Sequence, residues 1–292
     1  MTRPARLMRC AAAGSSLDRD MPPSHRPVRR LDLRADCAQC AGLCCVALAL
    51  TASADFAIDK PAGEPCPNLK HDFRCGIHAR LRDGGFPGCT VYDCFGAGQK
   101  VTQVTYGGRD WRQAADSGAQ MFEAFAVMRL LHELLWYLTE AVELAPSLAD
   151  ALRRALDDTE QLALGSPESL TALDVLAHRS RINDLLLRTS ELVRAGVSPT
   201  PINRRGADLM GADLRGADLR GTDFRSAYLI GADLRGADLA YADLIGTDLR
   251  DADVRGTHLA QSIFLTQMQI NATHGDAATT LPNRLARPTH WS

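Results

Sequence analysis

The sequence predicts a multidomain chain: a solenoid of square coils near the C-terminus, an α-helical bundle in the middle and a small Cys-rich metal-binding module toward the N-terminus. Three observations predict it. A five-residue repeat runs from Ala207 to about Thr266, a helical periodicity fills residues 110–196, and eight cysteines crowd between Cys37 and Cys94. A chain of 292 residues is long enough for two or three compact domains. The segments read as a disordered basic tail (1–30), the Cys-rich module (31–108), the helices (110–196), the repeat (202–271) and a closing segment (272–292).

The repeat is the firmest element. Large residues recur at Leu209, Leu214, Leu219, Phe224, Leu229, Leu234, Leu239, Leu244, Leu249, Val254, Leu259 and Phe264. Two residues before each stands Ala, Thr or Ser, from Ala207 to Ser262. Glycine is usual two residues after, as at Gly211, Gly216 and Gly231. A period of five matches neither a helix nor a long strand. It fits a square coil with one unit per side, in which the large residue fills the interior and the small one fits the crowded corner. No unit is stable alone, and stacking buries a continuous core.

Runs such as Ala212-Asp213-Leu214-Arg215-Gly216 and Ala232-Asp233-Leu234-Arg235-Gly236 resemble the A(D/N)LXX motif of pentapeptide-repeat proteins. The resemblance implies a right-handed quadrilateral β-helix with four units per coil. Twelve units then make three coils, about 14 Å tall at roughly 4.8 Å per layer. Residues twenty apart stack in columns. Phe224, Leu244 and Phe264 share an interior column, and Arg215, Arg235 and Arg255 an outer one beside Asp213, Asp233 and Asp253. Met210, Ile230 and Tyr228, and Ile245 with Leu265, put apolar groups outward. Such clusters mark contacts, so this side is expected to pack on the helices, a protein partner or a second copy. Residues 202–266 hold ten Asp against eight Arg. That balance disfavours DNA mimicry toward a topoisomerase, a role known for some pentapeptide-repeat proteins. Residues 267–292 are expected to close the rod end, with Trp291 as an apolar plug.

In the helical segment Met121, Phe125, Met128 and Leu135 form one stripe, widened by Leu131, Leu134 and Leu138. Ser147 with Asp150 reads as a capping box for a second helix that Gly165 ends. Ser166-Pro167-Glu168 starts a third helix expected to run to Ala195, with Gly196 just past its end. Three helices on short connections suggest an antiparallel bundle. His132 and Trp136 read as core residues.

The cysteines Cys37, Cys40, Cys44, Cys45, Cys66, Cys75, Cys89 and Cys94 are the candidate metal ligands. A disulfide scaffold needs an oxidising compartment, and no export signal precedes them. Cys-x2-Cys is the usual nucleus of a metal site, and a segment poor in large apolar residues needs such a staple. Metal is therefore favoured. With Pro65-Cys66-Pro67-Asn68-Leu69, Cys75-Gly76-Ile77-His78 and Cys89-Thr90-Val91-Tyr92-Asp93-Cys94, the pattern resembles the CxxCxxCC zinc- or iron-chelating cysteine-cluster family. Here the opening has one extra residue, CxxCxxxCC. The cofactor is zinc or iron, with an iron–sulfur cluster as one form of the latter. Adjacent Cys44 and Cys45 favour more than one centre, and His71 and His78 are possible substitutes for a thiolate.

The first thirty residues carry seven arginines against two aspartates, with Pro4, Pro22, Pro23 and Pro27 breaking any helix. They read as a disordered tail that includes Cys10, with Met8 or Met21 as alternative starts and a basic nucleic-acid arm as the sharper alternative. No apolar run reaches about 18 residues and no secretory h-region is visible, so a cytoplasmic location with no membrane partner is expected. Net charge is −2, which makes a nucleic-acid partner a poor expectation for the chain as a whole. No phosphate loop, nucleophile elbow or HExxH is present. The reading leans away from an enzyme, toward a metal-binding scaffold protein whose β-helix is a contact surface. The alternative is an iron or iron–sulfur redox protein acting at the cysteines.

Overall fold

A computed structural model describes residues 32–113, 118–197 and 202–291. The expected basic tail, Cys10 and the Ser198–Pro201 linker lie outside the described residues. No helix among the described residues is long and apolar enough to cross a membrane.

The chain begins with short elements. A 3-10 turn covers Cys37–Gln39, and α1 covers Leu43–Ala47. Helix α2 spans Pro87–Thr90, and α3 (Ala97–Gln99) continues as a π turn through Lys100–Thr105. The long helix α4, Gly118–Leu144, is the centre of the molecule. Its stripe of Met121, Phe125, Met128, Leu131, Leu135 and Leu138 is buried, and so are His132 and Trp136. A helix this long buries more than one face because the Cys-rich segment, the other helices and the rod all lie against it.

Helix α5 covers Ala149–Ala163 and packs along α4. Two sequence expectations are corrected here. Ser147 does not cap α5: it lies inside a 3-10 turn, Pro146–Leu148, and Leu148 takes the cap position with no side-chain bond. The expected third helix is two. Ser166 does cap α6 (Pro167–Thr171), accepting from the Ser169 amide, but α6 stops after Thr171. Helix α7, Val175–Ala195, then restarts under a new cap, Asp174, whose carboxylate accepts from the Ala177 amide at 2.9 Å. The cap satisfies amides that a continuous helix would not have left open. Gly196 stays in the right-handed region, so its helix end is not the left-handed glycine type.

The repeat forms stacked coils. Parallel bridges join residues twenty apart: Asp213 to Asp233 to Asp253, and Asp218 to Asp238 to His258. Four five-residue units therefore make one turn. Each side of the coil pairs through a single residue rather than a longer strand, because the chain turns again within five residues. Phe224, Leu244 and Phe264 have 0% exposure, as do Leu229 and Leu234. The last coil continues irregularly into the closing segment: His274 bridges Asp253 and Thr280 bridges His258. Helix α8, Gln267–Asn271, carries a capping box between Thr266 and Gln269. Trp291 lies over Gly275, where a Cβ would stand 2.5 Å from the indole ring, and its Nε1 donates to the Thr273 carbonyl. At the opposite end Leu209 and Leu214 of the first coil are only half-buried.

The rod meets the helices along one face. Arg225 and Leu265 are buried and Ile245 half-buried. Arg225 donates to Asp243 (3.1 Å) and to Asn183 of α7 (2.6 Å), and Arg194 pairs with Asp223. Near the last coil, the Phe264 amide donates to Glu140 of α4, and Tyr137 meets Phe264 edge-on. The sequence grouped Ile230 and Met210 with this side. Ile230 is half-buried, while Met210 is 56% and Tyr228 51% exposed.

Candidate metal centre

The cysteine segment is shaped by its turns. Asp36 accepts from the Ala38 amide and starts the turn that carries Cys37 to Cys40. Gly42, at φ 68°, then reverses the chain into α1, which holds Cys44 and Cys45. Only glycine fits this left-handed position without strain; a Cβ would also meet Leu69 at 2.8 Å. The Cys66 amide donates to the Cys45 carbonyl at 2.9 Å, and Leu69 bridges Cys75. Cys89 rides on α2, and the Cys94 carbonyl accepts from Ala97 at the start of α3. Gly98 in α3 faces sulfur: a Cβ there would lie 2.6 Å from Cys40 Sγ and 3.9 Å from Cys94 Sγ.

The outcome is one cavity of about 260 Å³ lined by all eight cysteines, with Asn68, His78 and Tyr92 as its other polar side chains and no carboxylate. His71 does not line it. None of the eight cysteines is in a disulfide. Burial raises the thiols: Cys40 and Cys89 are pushed up to about 11, and Cys37, Cys75 and Cys94 also rise. Cys44 and Cys45 split. Cys44 is raised, first by donating to Cys45 and then by burial. Cys45 is lowered by that hydrogen bond and by the Lys60 charge. Lys60 is itself buried, and its ammonium donates to the carbonyls of Val46, Pro61 and Glu64 at 3.1, 2.9 and 2.8 Å. The Tyr92 hydroxyl is buried without a hydrogen-bond partner.

The donor set fits a soft metal. Thiols without carboxylates suit zinc, copper(I) or iron–sulfur chemistry and not calcium or magnesium. Zn–S bonds of about 2.3 Å hold ligand sulfurs roughly 3.8 Å apart, and among the described residues no group of three His, Cys, Asp or Glu side chains is drawn to such a geometry. The common cavity is the more informative of the two facts. Rotation about χ1 can bring together sulfurs that already line one cavity. The sequence singled out all eight cysteines but neither Lys60 nor the roles of Gly98 and Tyr92; a lysine in a Pro-flanked loop carries no pattern that marks it as buried.

Outside the cavity, charges are paired. Arg215, Arg235 and Arg255 each grip the Asp two residues earlier at 2.5–2.6 Å, and Arg215 and Arg235 also reach the Asp of the next coil at 3.6–3.7 Å. Asp213 and Asp218 are held down to about 2 by the bonds from Arg215 and Arg220. The outer face is a neutralised lattice rather than an acidic strip.

Residues 205–225, 217–256 and 227–264 match the model of pentapeptide repeats. Over 265 residues the chain is 52% identical to the protein named "Uncharacterized protein YybG" of Bacillus subtilis (strain 168), covering 89% of this chain and 95% of that one. Two solved structures also match. The pentapeptide repeat protein Rfr23 of the cyanobacterium Cyanothece 51142 is 29% identical, with a TM-score of 0.22 over 30% of this chain and 54% of that one. A pentapeptide repeat protein of the Arabidopsis thaliana thylakoid lumen is 23% identical, with a TM-score of 0.22 over 32% of this chain and 62% of that one. The chain thus spans a little over half of each solved relative, and those matches are to a part of it only. The chain carries pentapeptide repeats in its C-terminal part and belongs to one family with YybG.

Proposed function

We propose that this protein binds a soft metal through the thiolates of its N-terminal cavity and presents that centre on a pentapeptide-repeat scaffold. One observation carries the reading: eight cysteines spread over fifty-eight positions from Cys37 to Cys94 line a single cavity that holds no carboxylate. Zinc or iron, the latter also as an iron–sulfur cluster, are the cofactors this donor set accepts. The rod is the contact surface of this reading, with Ile202, Met210 and Tyr228 exposed near its first coil. Its paired charges leave DNA mimicry without support.

The test is elemental analysis together with an ultraviolet–visible spectrum on anaerobically purified full-length protein. Stoichiometric zinc without colour supports a structural or storage centre, and iron with a thiolate-to-iron band supports the redox form. Reduced protein that carries no metal and takes up neither Zn²⁺ nor Fe²⁺ refutes the reading.

A further inference from the structure

We infer that the eight thiols divide into two four-thiolate shells, one of Cys37, Cys40, Cys44 and Cys94 and one of Cys45, Cys66, Cys75 and Cys89, each taking one soft divalent ion. The inference rests on the thiolate-metal reading above and adds the assignment of every ligand.

The division starts on α1. Cys44 and Cys45 are neighbours on a helix, and neighbouring side chains there point about 100° apart. One small ion is poorly served by both, so they fall to different sides. On the first side, Gly98 leaves a bare patch of backbone against which Cys40 Sγ and Cys94 Sγ both lie. The loop carrying Cys37 and Cys40 is clamped onto the same element. The Asp36 amide donates to Gln99 Oε1 at 3.0 Å, Gln103 Nε2 to the Gln39 carbonyl at 2.8 Å, and the Ala41 amide to Thr102 at 3.1 Å. On the second side the backbone itself joins the ligands. Cys66 donates to the Cys45 carbonyl, and the turn from Cys66 to Leu69 pairs with Cys75.

Electrostatic proximity follows the same partition. Cys89 senses Cys45, Cys66 and Cys75; Cys75 senses Cys45 and Cys66; Cys40 senses Cys94 and Cys37. The sets adjoin at Cys37, which also senses Cys45 and Cys75, and at the Cys44–Cys45 contact. The two shells also differ in character. Lys60 stands by Cys45 and Cys66, and the unpartnered Tyr92 hydroxyl stands near Cys44 and Cys94. Loading balances as Zn²⁺ plus four thiols giving a dianionic tetrathiolate and four protons. Lys60 then offsets part of the second shell's charge, and Tyr92 donates to a thiolate of the first.

The experiment uses full-length protein, reduced and loaded with Zn²⁺ or ¹¹³Cd²⁺. Wild type is expected to hold two ions per chain by native mass spectrometry and to give two cadmium resonances in the four-sulfur range. C40S/C94S and C66S/C89S are each expected to retain one ion, and C40S/C89S to retain none under the same dialysis. Circular dichroism checks that the helices survive in each variant, and the wild-type cadmium spectrum is read without any variant. Loss of all metal from either same-shell pair, one ion kept by the mixed pair, or a single cadmium resonance overturns the partition while leaving metal binding intact. Wild type that binds no metal overturns both.

Discussion

Arg225 is the most exacting test of how the rod is attached to the helices. Its side chain is 2% exposed and faces Asp243, which is 0% exposed. One guanidinium nitrogen reaches Asp243 at 3.1 Å and another reaches Asn183 of α7 at 2.6 Å. In Arg225→Met the carboxylate keeps the Ile245 amide at 3.0 Å and the Ser190 hydroxyl but loses its counter-charge. Removing one partner of a buried pair costs about 3–5 kcal/mol. A second route limits the cost. Burial already raises the Asp243 carboxyl above the ordinary aspartate range, and holding a carboxyl protonated at pH 7 costs about 4 kcal/mol. The expected loss is therefore about 3–4 kcal/mol at pH 7, read from urea unfolding followed by far-ultraviolet circular dichroism. The sign of the pH dependence follows from the raised value. The folded variant holds a proton that the unfolded chain has released, so its deficit shrinks as pH falls from 7 toward 5. Arg225→Met/Asp243→Leu removes both charges and is expected to recover most of the loss. A single variant within 1 kcal/mol of wild type, or a deficit independent of pH, refutes this account of the interface.

Three further outcomes follow. Leu234→Ala opens a cavity in a 0%-exposed interior position and is expected to lower stability by about 2–5 kcal/mol, whereas Ala232→Leu is expected to lose about 1–3 kcal/mol by overpacking the corner beside it; calorimetry checks both. Ser226 occupies the left-handed position that glycine fills in most units, at φ 57°, so Ser226→Gly is expected to raise stability by about 0.5–1 kcal/mol in the same scans. His132 is buried, with Nδ1 at 2.7 Å from the Phe95 carbonyl, Lys100 and Asp32 nearby, and its pKa pressed down to about 4 by burial. Below pH 6.5 the unfolded chain takes a proton that the native one refuses, so stability is expected to fall by about 3 kcal/mol between pH 6.5 and 4. His132→Gln should flatten that segment of a pH series of urea midpoints.

What the sequence could show depended on whether the deciding force was local or stacked at a fixed period. The twenty-residue coil followed from Ala232, Leu234 and their equivalents, because each repeats the same packing problem. The break between α6 and α7 was hidden, because Asp174 inside a charged amphipathic run looks like any solvated residue until it caps. The buried column was half visible. Ile245 and Leu265 depart from the charged lattice at spacing twenty, but Arg225 in the same column reads as one more surface charge. Only the fold shows that it turns inward against Asn183. The cysteines announced themselves by density. Their partners Gly98 and Lys60 did not, since a glycine and a lysine at those spacings carry no period and no motif, and Tyr92 stood inside the Cys89–Cys94 block with nothing to mark its burial.

The placement of the cavity ties the cysteines to the rod more closely than the linear order suggests. Cys89 sits on α2, and the last carbonyl of that helix, Thr90, accepts from Asn271 Nδ2 at 3.1 Å. Asn271 ends α8, the helix that follows the last regular coil, and its own carbonyl accepts from Arg82 at 2.9 Å. Arg34, three residues before Cys37, reaches the Arg284 carbonyl of the closing segment at 2.8 Å. The covered end of the rod is thus held by the chain on both flanks of the thiol cavity, while the far end keeps Leu209 and Leu214 half-buried. A solenoid gains most from a cap at an edge that would otherwise pair with other chains. One end is closed by elements joined to the segment that carries the thiols.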